Sequence, residues 1–136
     1  MTAFRRTTKA AHIDRTKPIT FTFDGKTLSG FAGDTLASAL LANGKTLLGR
    51  SFKYHRPRGL IAAGLEEPNA LFTTGTDGRT EPNTTATATE LVSGITAKSQ
   101  NAWPSLAFDV MAVNQLFSPR SAEASSRAPS SLTRLV

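Results

Sequence analysis

The chain has 136 residues, 39% hydrophobic and 19% charged, which suits one modest domain with some tail. It has no cysteine, which excludes disulfides and thiolate metal ligands, and no apolar run near the roughly 20 residues of a membrane helix. The net charge of +6 lies wholly in residues 1–17 and 119–136, because 18–118 balance eight basic against eight acidic residues. That layout predicts a solvated arm and tail rather than a nucleic-acid surface. With no apolar signal core among the first residues, a cytoplasmic location is expected.

Residues 18–31, PITFTFDGKTLSGF, predict a β-hairpin. Ile19, Phe21 and Phe23 alternate with Thr20 and Thr22, and Asp24-Gly25 supplies the positive φ angles of a tight turn. Gly33 to Gly44 then predicts a short helix, with Asp34 as N-cap, Leu36 and Leu40 on its apolar face and Gly44 at its C-terminal end. Thr46-Leu47-Leu48 reads as a short strand. A long loop rich in arginine, proline and glycine follows from about Ser51 to Asn69, before a further strand in ALFTT. Gly75, Asp77 and Gly78 make a turn, and Asn83–Val92 reads as an extended piece ending in a strand. Hairpin, helix, long loop and further strands is the order of an α+β, β-grasp domain. A loop of that length in a compact domain needs a purpose.

Beyond residue 93 the pattern weakens. Trp103, Leu106, Phe108 and Val110 suggest an extended segment that packs on something larger, and the Ser/Ala/Arg-rich end from Arg120 predicts disorder. The expected division is a basic arm over 1–16, a β-grasp domain over 17–95, a docking segment over 96–118 and a disordered tail over 119–136.

The run from PITFTFDGKTLSGFAGDTLASALLANG through SFKYHRPRG and EEPNAL resembles the N-terminus of the α subunit of heterotetrameric sarcosine oxidase, over about Ile13 to Phe117. The resemblance implies a ferredoxin-like β-grasp domain without its cluster. Related domains hold a [2Fe–2S] cluster through C-x4-C-x2-C and a distant fourth cysteine. Those positions correspond here to Ala62, Glu67, Ala70 and, for the fourth, Thr87. Alanine and threonine offer no thiolate and one glutamate cannot replace four, so no cluster is expected. The loop then reads as an inherited cluster loop kept as a packing surface.

The resemblance further implies an assembly that demethylates sarcosine oxidatively to glycine with FAD, FMN, NAD and tetrahydrofolate. This chain has no G-x-G-x-x-G phosphate loop, and none of those cofactors is expected on it. Its expected partners are downstream domains or other subunits of a sarcosine oxidase-type complex, and its expected role is structural. Relatives continue beyond NQLFSP into apolar sequence, whereas this chain turns to its Arg/Ser/Ala/Pro-rich end. That change predicts a frameshifted or truncated subunit, or else a split gene; a stand-alone module docking on a separate flavin-dependent oxidase chain is the alternative.

Lys53, Tyr54, His55, Arg56 and Arg58 could form an anion site, but a basic loop bonded to neighbouring domains is the favoured reading. Lys53, His55, Arg56, Arg58, Trp103 and Phe108 are the candidate interaction residues. Two isolated histidines make a metal site improbable, and no nucleophile elbow is present, so no catalytic or metal-binding residue is named. Glu66 and Glu67 point apart as neighbours, and solvation or pairing with Arg56 or Arg58 is expected of them.

Overall fold

A computed structural model describes residues 6–9, 12–76, 78–102 and 105–109. The alternating run becomes β1 (Asp14–Phe23), which pairs antiparallel with β2 (Lys26–Ala32). Asp24 (φ 46°) and Gly25 (φ 77°) make the turn, the left-handed pair that a two-residue hairpin requires. β1 begins at Asp14, so the last residues of the expected arm belong to the sheet.

After β2 comes α1 (Leu36–Ala42), then the two-residue strands β3 (Gly49–Arg50) and β4 (Pro57–Arg58), which pair with each other. β5 (Leu71–Thr76) and β6 (Arg79–Thr85) form a second hairpin, and β7 (Thr96–Ser99) closes the main sheet. Its strand order is β2-β1-β7-β5-β6. β7 lies at the centre, parallel to β1 and antiparallel to β5. This is the β-grasp architecture the element order predicts. Four local expectations change: the short strand is at Gly49–Arg50 rather than 46–48, the long loop contains β4, the strand expected within Asn83–Val92 lies earlier, and the central strand β7 lies in residues expected as docking segment, so the sheet runs past the expected boundary at 95.

The core lies between the sheet and α1. Phe21, Phe23, Leu36, Leu40, Leu48, Phe72, Leu91, Ile95 and Ala97 form one buried cluster. The Phe23 and Phe72 rings meet edge to face at 5.2 Å, a favoured aromatic geometry, and join β1 to β5 across β7. Leu106, from the segment beyond the sheet, completes this cluster, so part of the expected docking segment packs on its own domain.

The helix is capped one residue later than expected. Thr35 is the N-cap: its Oγ1 accepts the Ser38 amide at 3.2 Å, and Ser38 Oγ accepts the Thr35 amide at 3.0 Å. This capping box leaves the amides of Leu36 and Ala37 to the carbonyls of Thr89 and Ala86. Gly44 (φ 75°) follows the C-cap Asn43. Thr35→Ala should cost about 1 kcal/mol, read as a lower urea midpoint with unchanged slope.

Asp34 is a buried junction instead of a cap. Its carboxylate accepts both terminal nitrogens of Arg6, the Phe31 amide at 2.9 Å and Ser38 Oγ at 2.9 Å. One side chain thereby ties the basic arm, the end of β2 and the start of α1 together. Burial alone would raise its pKa, but Arg6, the Phe31 amide and Ser38 outweigh that and hold the carboxyl below its ordinary value.

Candidate functional site in the long loop

The loop between β3 and β5 divides into a basic half and an acidic half. In the basic half, Lys53 Nζ lies 5.3 Å and Arg56 Cζ 5.2 Å from the Tyr54 ring centre, so both cations lie on its ring rather than converging on one anion. Arg58 lies on β4 and is exposed, like Lys53 and Arg56. His55 is held in the left-handed region (φ 51°), with Nδ1 2.6 Å from Asp109 Oδ2. Arg50 donates through Nε and Nη2 to the Leu106 carbonyl and through Nη1 to the His55 carbonyl, and its Nε is 3.6 Å from the same Asp109 oxygen. Arg50, His55 and Asp109 thus clamp residues 105–109 onto the loop. Neither Arg50 nor Asp109 stood out in the sequence. Trp103 lies outside the described residues.

The acidic half is organised around Glu67. The expectation of solvation or pairing with Arg56 or Arg58 fails for this residue, which is 2% exposed. Its Oε2 accepts the amides of Ile61 at 2.7 Å and Ala62 at 2.5 Å, and its Oε1 accepts that of Asn69 at 2.8 Å. Among the described residues no cation pairs with it. Burial favours the neutral acid, but the amides of Ala62, Asn69, Ile61 and Ala70 outweigh it and hold the carboxyl below its ordinary value of 4.5. Glu66, beside it, is exposed as expected.

The four positions with cluster-ligand spacing are drawn together. Glu67 bonds to the Ala62 amide, and the Ala70 amide adds to its hold. Ala70 is fully buried, and its carbonyl accepts the Ala86 amide at 2.9 Å, beside Thr87. Thr87 Oγ1 donates to the Gly64 carbonyl at 2.6 Å. The chemistry of this set does not fit an iron–sulfur cluster: the alanines have no donor atom, the hydroxyl is bonded to a carbonyl, and the one carboxylate is engaged by amides. Among the described residues no group of three His, Cys, Asp or Glu could hold a metal ion.

The loop also carries apolar side chains that sequence reasoning passed over. Phe52, Ile61 and Leu65 are 85%, 73% and 81% exposed, and Phe108 of the clamped segment is 69% exposed. Single apolar residues in a loop have no periodicity, so only their number within 51–65 could have marked them.

Comparison with known proteins bears on the fold and the family. The sarcosine oxidase subunit alpha of Rhizobium meliloti is 62% identical over 84% of this chain, and that of Corynebacterium sp. (strain U-96) is 45% identical over 66%. The chain spans only 12% and 10% of those relatives' lengths. Among solved structures, the L-proline dehydrogenase from P. horikoshii superposes with a TM-score of 0.52 and 28% identity, covering 66% of this chain and 17% of its own. The family described as the 2Fe-2S iron-sulfur cluster binding domain matches residues 16–102. With its β-grasp sheet and its cluster-type loop built around a carboxylate, the chain belongs to that family as a member without the cysteines.

Proposed function

We propose that this chain serves as the front domain of a sarcosine oxidase-type α subunit and that its work there is structural. The observation that carries the reading is the 62% identity to the R. meliloti subunit across 84% of the chain. In this reading the oxidative demethylation of sarcosine to glycine, with FAD, FMN, NAD and tetrahydrofolate, belongs to the rest of a cytoplasmic assembly. The domain contributes a rigid face to the downstream domains or other subunits.

The loop supports that role by its composition. Phe52, Ile61 and Leu65 offer apolar area, with Lys53, Arg56 and Arg58 exposed beside them in sequence as a polar rim. Phe108 extends the face, and Trp103 is proposed as its continuation. His55 takes a different part from a direct contact: through Asp109 it holds the segment that carries Phe108.

Co-expression tests the reading. The 136-residue chain is produced with the R. meliloti α subunit lacking its matching region, together with that enzyme's other subunits. Co-purification with restored sarcosine oxidation is expected, and Phe52→Ser with Leu65→Ser should lower the recovered complex at least tenfold. A chain that stays monomeric beside the assembly would sink the proposal.

A further inference from the structure

Amides that converge on one point without a cationic side chain form a nest for an anion. Here Ile61, Ala62 and Asn69 provide such a nest, and a side chain of the same loop fills it. A cluster held by four thiolates is also an anion that accepts hydrogen bonds through its sulfurs. The nest lies among Ala62, Ala70 and the turn that carries Thr87, where ligand spacing places a cluster.

We propose that the Glu67 carboxylate is the built-in anion of this nest, standing where the fold family holds its cluster. The loop keeps its shape through one buried negative charge in place of iron. Two properties follow. The wild-type nest is closed to exogenous anions, and removal of the side chain opens a site for a small monocarboxylate such as formate, which restores the same acceptor oxygens.

Support comes from the direction of the hydrogen bonds. All three are donated by backbone, so they are fixed by the path of the loop and do not depend on a flexible partner. Gly64, which receives the Thr87 hydroxyl, lies between the Ala62 amide and Glu67 itself, so the loop is tied from both sides of the nest.

The test is thermal unfolding of the 136-residue chain and of Glu67→Ala in sodium formate, against sodium chloride of equal ionic strength. Formate should raise the Tm of Glu67→Ala saturably by several degrees and leave wild type no different from its chloride control. Equal effects of the two salts on Glu67→Ala would overturn the proposal. Should that variant fail to fold in either salt, Glu67→Gln decides: a Tm several degrees below wild type at neutral pH that converges on wild type toward acid supports the buried charge, and an unchanged Tm or a pH-independent loss refutes it. Anaerobic incubation of wild type with ferrous iron and sulfide should give no visible charge-transfer absorption. A stoichiometric coloured product would show that the nest accepts a cluster after all.

Discussion

Asp34→Ala is expected to cost about 3–5 kcal/mol, the loss typical of removing one member of a buried ion pair. The Asp34 side chain is fully buried and that of Arg6 is 11% exposed, so the variant strands a guanidinium with little access to water. Arg6 Nε already has no hydrogen-bond partner among the described residues, so the guanidinium depends on Asp34 for its side-chain hydrogen bonds there. The Phe31 amide and Ser38 hydroxyl lose their acceptor as well. Arg6 also lies 4.9 Å from the Phe31 ring centre, a contact that survives the substitution and keeps the charge in place. Urea unfolding of Asp34→Ala, Arg6→Met and the double variant measures the coupling. The double variant should be more stable than Asp34→Ala alone, because it removes the stranded charge; strictly additive losses would show that the pair does not act as a unit.

The contrast between Asp34 and Thr35 shows where sequence reasoning stops. An aspartate before an apolar helical run satisfies every local rule for an N-cap. Its actual use depends on Arg6, 28 residues away, which no local rule addresses. The hairpin was legible because its information is local: alternating Ile19, Phe21 and Phe23, and a turn pair whose φ angles the residue types demand. β7 was not legible, although it is central. Its four residues, TAKS, contain one buried apolar side chain, Ala97, and its partners β1 and β5 lie far off in sequence. A short strand buried by its neighbours has little need of an apolar pattern.

Glu67 is the more instructive case. Adjacency to Glu66 shows only that the two carboxylates diverge, not which of them turns inward. The ligand spacing held that answer, since a position that aims a cysteine at a cluster aims any side chain into the loop. Glu67 therefore faces the amides while Glu66 faces solvent. The apolar residues Phe52, Ile61 and Leu65 of the same loop lie exposed.

Glu67→Gln is expected to lower stability by about 2–4 kcal/mol at neutral pH, since hydrogen bonds to a charged acceptor are the stronger kind and the new amide turns a donor toward donors. The pH dependence separates this from a packing defect. The folded carboxyl is held below its ordinary value of 4.5, so it stays ionised where the unfolded chain takes up a proton. Its contribution is complete above 4.5 and is lost as pH falls through that value toward the folded pKa. Asp34 and Asp14, with pKa values also lowered, steepen the same acid limb, so the quantity to read is the difference between wild type and variant. That difference should be constant near neutrality and shrink toward acid, measured by urea unfolding from about pH 7 to about pH 3. Parallel curves throughout would mean that the charge of Glu67 is not what holds the loop. A converging pair would mean that the ionised carboxylate of Glu67 holds the loop in its folded shape.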